Sequence, residues 1–171
     1  VSDWRSDRKG GDDAVNSLEI TEFKMSVIRH LLADERVVEL LDPNHEFEYP
    51  DDLIYERIFP FGRIPDTEQE VKTYITVMID VPNIAKNDIT RDASITIRAL
   101  TYESLMRVEG SNGTRIDLLS ERIDKLLNES YDFGIGYVTM VHNKEFVLDS
   151  KHFYRELKFK TLDLNSRRYG A

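Results

Sequence analysis

An α+β domain of two layers is the expected fold of this chain: an antiparallel sheet of four or more strands, with two main helices packed on one face. Two neighbouring segments alternate apolar and polar side chains with a period of two, which is typical of strands that bury one face. Their short polar connector favours an antiparallel pair, and a second such pair follows an amphipathic helical segment. The order along the chain is helix, short helix, strand, strand, helix, strand, strand.

Two helices are expected before the sheet. The first begins near Asn16 or Ser17, either of which can serve as its N-cap. Its apolar residues recur at helical spacing: Leu18, Phe23, Val27, Ile28, Leu31 and Leu32. The second, within "DERVVELLDP", has Asp34 as its candidate cap. It should end at Pro43, because proline cannot continue the hydrogen-bond ladder of a helix.

The third helix is predicted over residues 114–128. Thr114 is its N-cap, and Asp117, three residues later, favours a helix N-terminus both as a capping partner and as a negative charge. The apolar stripe of this helix consists of Ile116, Leu119, Ile123, Leu126 and Leu127. We expect the stripe to pack on the sheet face that carries Ile75, Val77, Ile95 and Ile97.

Four strands are expected in two pairs. The first pair is "KTYITVMIDVP" and "DASITIRALTYE", whose apolar residues occupy alternate positions. The second pair is "IGYVTMVHN" and "KHFYRELKFKTLDL", joined by a connection over residues 143–151. These elements belong to one domain over residues 17–165, preceded by a flexible charged arm over residues 1–16 and followed by a short tail over residues 166–171.

The composition excludes several classes of protein. The chain has 171 residues and no cysteine, so disulfides, zinc–thiolate sites and iron–sulfur clusters cannot form. A net charge of −9, from 32 acidic and 23 basic residues, argues against a domain whose main partner is a nucleic-acid backbone. No apolar run is long enough for a signal peptide or a membrane span, so we expect cytoplasmic synthesis and no membrane contact.

A catalytic constellation is not evident in the sequence. It contains neither a nucleophile elbow of the type G-x-S-x-G nor a phosphate-binding loop with its lysine, and its four histidines do not form a metal-ligand pair. We therefore expect no catalytic residue, metal or cofactor. The alternative is a small ligand-binding or hydrolytic domain whose site uses His142 and His152, brought together across a hairpin, with Asp149 beside them.

Two connections are unusually apolar for loops. One is "RIFPFGRIP" and the other contains "FVL", and exposed apolar patches on a soluble domain usually mark a protein contact. The candidate interface residues, with the aromatic residue of the N-terminal arm, are Trp4, Arg57, Ile58, Phe59, Phe61, Arg63, Ile64, Phe146, Val147 and Leu148. Phe59 and Phe61 would be the anchors, and the two arginines would pair with carboxylates across the contact. The alternative is that both loops fold back over the sheet and complete the core.

The arrangement of "TYITVMIDV" and "ASITIRALTYE" ahead of "GTRIDLLSERIDKLLN" and "FYRELKFKTLDLN" resembles the tail-terminator, or tail-completion, and neck proteins of long-tailed bacteriophages. The resemblance spans roughly residues 17–165. It implies a small α+β subunit that forms a ring, commonly a hexamer, caps the tail tube and docks to the head connector. It brings no catalytic residues with it.

The resemblance also implies a place and a set of partners. The protein would be made in the cytoplasm of the host bacterium and reside in the tail or neck of the virion, in contact with copies of itself, the tail tube protein and the head connector proteins. DNA would pass through the ring without specific binding, because an acidic wall repels phosphates. The long charged arm and the extended loop over residues 43–70 depart from the pattern, and fit a head-completion or connector protein instead.

Overall fold

The computed structural model describes residues 17–84, 90–131 and 137–164. In this part of the chain, five strands form one sheet and three α-helices cover one of its faces. The helices are α1 (Ser17–Leu32), α2 (Glu35–Leu41) and α3 (Arg115–Leu127). The strands are β1 (Ile58–Phe59), β2 (Thr73–Ile84), β3 (Thr90–Tyr102), β4 (Tyr137–Val147) and β5 (His152–Leu164). The predicted arm, with Trp4, and the predicted tail lie outside the described residues.

The order of strands across the sheet is β1-β2-β3-β5-β4. Both predicted antiparallel pairs are present, and the two pairs join side by side because β3 also runs antiparallel to β5. The strand β1 was not predicted. It pairs in parallel with β2, with Ile58 opposite Ile75, so the sheet is mixed and not wholly antiparallel. Two residues are too few to show a strand period, and this is why the sequence did not indicate β1.

The apolar core lies between the helices and one face of the sheet. The alternation in the strands predicts this face correctly: Ile75, Val77, Ile95, Ile97, Leu157 and Phe159 have no exposed side-chain surface. α3 lies over β3, β4 and β5, and α1 lies against β2, so the two longer helices divide the sheet between them. In α3 the fully buried stripe consists of Ile116, Leu119, Ile123 and Leu127, while Leu126 is only partly buried at its margin.

The caps predicted for α2 and α3 are present, whereas Asn16, a candidate cap of α1, lies outside the described residues. The Asp34 carboxylate accepts a hydrogen bond from the backbone N–H of Val37, and α2 ends just before Pro43. Thr114 and Asp117 form a reciprocal capping box at the start of α3. Arg122 on α3 forms a bidentate ion pair with Asp34, so the cap of one helix is also a contact between two helices.

Arg115 is a buried cation that joins three segments. Its Nη1 donates to the carbonyl of Leu40, 2.8 Å away in the last turn of α2, and its Nε donates to the carbonyl of Leu105 at 2.7 Å. A cation is favourable at the C-terminal end of a helix, where carbonyl groups lack helical partners. The guanidinium group therefore ties α3 to α2 and to the turn that follows β3.

Candidate interaction surfaces

The apolar loop predicted from "RIFPFGRIP" folds back over the sheet. After β1, the loop over residues 60–72 lies on the β1 and β2 part of the face opposite the helices, called the open face below. An added Cβ atom at Gly62 would lie 2.9 Å from Met78 Sδ, so the loop backbone runs close above that strand residue. The Arg63 guanidinium lies over the rings of Phe59, at 4.8 Å, and Tyr74, at 4.9 Å. Cation–π contacts of this kind hold a loop to a sheet.

An ion pair closes the base of the same loop. Arg63 Nη1 donates to Glu70 Oε1 at 2.7 Å, and the second Glu70 oxygen accepts the backbone N–H of Asp66 at 2.8 Å. Burial opposes ionisation of Glu70, but the hydrogen bonds from Arg63 and Asp66 outweigh burial and hold its pKa below the usual range. Burial raises the pKa of Tyr74 to about 12, although the Arg63 charge acts in the opposite direction. The loop is therefore an ordered part of the fold.

An apolar row crosses the open face through all five strands. It consists of Phe59, Tyr74, Leu100, Tyr154 and Phe146, in the order of the strands. The row is covered at its β1 end and open at its β4 end, since Phe59 is 5% exposed and Phe146 is 37% exposed. At the open end Phe146 stacks on Tyr154 with ring centroids 5.0 Å apart.

His152 is buried and engaged at both ring nitrogens. Nδ1 lies 2.9 Å from Asp149 Oδ2 in the β4–β5 turn, and Nε2 lies 3.0 Å from the backbone carbonyl of Glu70. Its ring also makes an edge contact with Tyr102 at 5.2 Å. His152 thus connects the turn of one hairpin with the loop over residues 60–72, and its position is structural.

The prediction that His142 and His152 come together across a hairpin is wrong. His142 lies opposite Lys158 on β5, six residues along that strand from His152, which corresponds to about 20 Å. The imidazole of His142 binds Glu156 instead, at 3.1 Å, and Glu156 also accepts Arg98 Nε at 2.7 Å. The hairpin separates the two histidines because its strands pair along their whole length.

Several proposed interface residues have partners within the chain. Ile58 is fully buried in the main core and Phe59 lies under the loop, so the prediction of Ile58 as an exposed interface residue and of Phe59 as an anchor is wrong. Arg57 pairs with Glu46 at 2.8 Å, and Arg63 pairs within its own loop, so neither carries an uncompensated charge. The alternative interpretation, that the loop completes the core, is correct for this part of it.

Phe61 and Ile64 of this loop lie on an exposed surface at the β1 end of the sheet. We call it the β1-edge surface and define it by Tyr49, Tyr55, Phe61, Ile64, Glu48, Asp51 and Glu56. Phe61 is 46% exposed and Ile64 is 67% exposed. Tyr55 has a positive φ of 69°, and its exposed ring lies 6.3 Å from the Phe61 ring. The three carboxylates form no ion pair with any side chain in the described part of the chain.

A second exposed surface lies at the opposite end of the sheet. We call it the β4-edge surface and define it by Val141, Phe146, Val147, Leu148, Lys144, Lys158 and Lys160. Phe146 and Val147 belong to β4, so the predicted connection over residues 143–151 is too long, and the turn begins only at Leu148. Val147 is 68% exposed. Among the described side chains, the three lysines have no ion-pair partner.

Sequence reasoning found the apolar residues of both surfaces only in part. Tyr49 and Tyr55, which precede β1, and Val141 on β4 were not predicted as interface residues, and neither were the unpaired charges of the two surfaces. A density of acidic residues in "HEFEYPDDLIYE" was the available signal for the first surface. Nothing local distinguishes an unpaired lysine from a paired one, because its partners come from other strands.

Across residues 17–84, 90–131 and 137–164, no group of three or more His, Cys, Asp or Glu side chains is arranged to hold a metal ion. None of the described helices has the length and apolarity needed to cross a membrane.

The fold and its two exposed edges define a class: a small α+β subunit with a mixed sheet, one helical layer and apolar surfaces at both ends of the sheet. The chain belongs to the YomW family, whose family model matches residues 28–161. Its fold is similar to that of a chain in the virion of a native gene transfer agent particle, with a TM-score of 0.52 and 13% sequence identity. The similarity covers 86% of this chain and 98% of that chain. No curated protein matches the sequence.

Proposed function

We propose that this protein is a structural virion subunit, a tail terminator that forms a ring, caps the tail tube and docks to the head connector. The observation that carries the proposal is the similarity of its fold to a virion chain over 98% of that chain's length. A match over nearly the whole length of that chain means that the similarity extends over its overall fold and is not confined to one motif. The resemblance of the strand and helix pattern to tail-terminator and neck proteins supports the finer assignment.

The exposed surfaces support an assembled subunit. Soluble monomers rarely expose contiguous apolar patches, and such patches usually mark contacts with other proteins. Here the β1-edge and β4-edge surfaces lie at opposite ends of one sheet. A ring subunit needs contacts on two sides, one for each neighbour, and we propose a hexamer as the closed form.

The proposal assigns no reaction to the protein. The two histidines that suggested a site are about 20 Å apart, and both are bound to acceptors of the fold. The carboxylates with lowered pKa values at Asp34, Glu70 and Glu156 are each held by an arginine in a structural ion pair. Structural ion pairs also lower carboxylate pKa values, so these shifts do not by themselves indicate a general acid or base.

The charge of the chain suits a channel for DNA. Its net charge of −9 would give the inner wall of a ring a negative potential if acidic residues line it. A negative wall repels phosphates and lets DNA slide without being held. The proposed partners are therefore other copies of this chain, the tail tube protein and the head connector proteins, and DNA is a passenger.

Separated particle halves test this assignment. Tails without heads and heads without tails are purified from assembly-defective strains, and each fraction is analysed by mass spectrometry. A tail terminator copurifies with tails, whereas a head-completion or connector protein, the alternative function, copurifies with heads. Absence of the chain from both fractions would overturn the proposal that it is a virion subunit.

A further inference from the structure

We propose that the β1-edge surface of one copy binds the β4-edge surface of the next copy, so that the two unlike ends of the sheet form a single repeated contact. This inference rests on the proposed ring. It goes beyond the ring by naming the two surfaces that meet and the residues that decide the contact.

The positions of the two surfaces allow the same contact to be repeated from one copy to the next. They flank the outermost strands of a five-stranded sheet, and those strands are about 19 Å apart at the usual spacing between neighbours. A contact between two unlike surfaces leaves one of each kind free on the growing assembly. Such heterologous contacts close into rings when the rotation between neighbours allows it.

Apolar side chains form the centre of each surface. On one side, Phe61 and Ile64 are exposed side chains of the loop, and the Tyr55 ring lies beside Phe61. On the other, Phe146 ends the apolar row of the open face, and Val147, the next residue, projects from the opposite side of the same edge strand, so a partner that approaches β4 edge-on meets both. Each surface combines aromatic rings with aliphatic side chains, which is typical of the centre of an interface.

The unpaired charges of the two surfaces have opposite signs. On the β4-edge surface they extend along the sheet from Lys144, two residues before Phe146, to Lys158 and Lys160 on β5. The β1-edge surface carries Glu48, Asp51 and Glu56, and the β4-edge surface carries Lys144, Lys158 and Lys160. None of the six has an ion-pair partner among the described side chains. Three unpaired carboxylates facing three unpaired ammonium groups favour this orientation and disfavour either surface binding its own kind. A second copy of the chain is therefore the occupant that each surface fits.

Two variants with complementary defects provide the test. Ile64→Asp and Val147→Asp place a charge in the centre of one surface each, and both residues are about two-thirds exposed, so the fold should be retained. Each variant alone should lose rings, with association at least roughly tenfold weaker. Mixed together they should form a one-to-one dimer and nothing larger, because each supplies the surface that the other lacks.

Native mass spectrometry measures the species, and circular dichroism verifies that each variant is folded. Rings formed by either variant alone would overturn the named contact while leaving the proposed ring intact. So would a mixture that remains monomeric when the wild-type protein forms rings. A wild-type protein that stays monomeric at every concentration and is absent from particles would overturn both the contact and the proposed function.

Charge reversal supplies an independent arm of the test. Lys144→Glu with Lys158→Glu should abolish rings, and adding Glu48→Lys with Glu56→Lys in the same chain should restore them. Arg36→Glu with Lys125→Glu is the matched control, since it changes the net charge by the same amount and both residues are exposed cations in the helical layer. If the control weakens rings as much as the paired reversal does, net charge rather than this contact controls assembly and the inference fails.

Discussion

Substitution of Phe59 by alanine distinguishes a core residue from an interface residue. Phe59 is 5% exposed, contacts the Tyr74 ring edge-on at 5.4 Å and lies beneath Arg63 and Lys72. Removing a buried phenylalanine side chain costs about 3–5 kcal/mol, because the apolar surface and its packing contacts are lost and a cavity remains. The total stability of a domain is about 5–15 kcal/mol, so Phe59→Ala should remove a large fraction of it.

Phe61→Ala is the matched comparison, because Phe61 lies two residues away and is 46% exposed. Half-burial of a phenylalanine contributes about 1 kcal/mol, so this variant should unfold close to the wild-type midpoint. Urea unfolding followed by circular dichroism measures both, and a melting experiment should show Phe59→Ala lower by roughly 10 °C. Equal midpoints for the two variants would refute the placement of Phe59 under the loop.

Three other predictions concern the fold. Ile123→Asp should leave no cooperative melting transition, because an unpaired charge would be buried beneath α3, and a normal melting temperature would show that this helix faces elsewhere. The pKa values of Asp34 and Glu70 are lower in the folded chain than in the unfolded chain, where they lie near 4, so the two ionised carboxylates stabilise the fold above about pH 4 and this stabilisation is lost as the pH falls further. Glu70→Gln should therefore reduce the fall in melting temperature at acid pH. His152→Ala should increase proteolysis within residues 60–72, because the hydrogen bond to the Glu70 carbonyl is removed. Fragment masses measure the cleavage, and an unchanged pattern would show that the loop is held without this hydrogen bond.

Local rules predicted the parts of the fold that local sequence determines. The caps at Asp34 and Thr114 follow from hydrogen bonds between residues three apart, so a short window of sequence contains the whole interaction. The buried faces of β2 and β3 follow from a period of two and were predicted correctly. The stripe of α3 was also correct, apart from Leu126 at its margin.

Long-range contacts account for what the sequence did not reveal. β5 lies between β3 and β4, and the pairing of two predicted hairpins depends on side chains far apart in the chain. The burial of Phe59 depends on Arg63 folding back over it, although both looked like residues of an exposed loop. Phe146 and Val147 were predicted in a loop because the apolar residues at this end of β4 do not alternate with polar ones.

Native mass spectrometry of the purified wild-type protein over a series of concentrations tests the central claim most directly. If the chain is a ring-forming virion subunit whose sheet ends bind each other, the spectra should show one closed oligomer, a hexamer in the proposed form, that grows with concentration at the expense of the monomer. Circular particles should be visible in electron micrographs of the same sample. A single monomeric species at every concentration, with no circular particles, would contradict the claim that copies of this chain assemble by themselves.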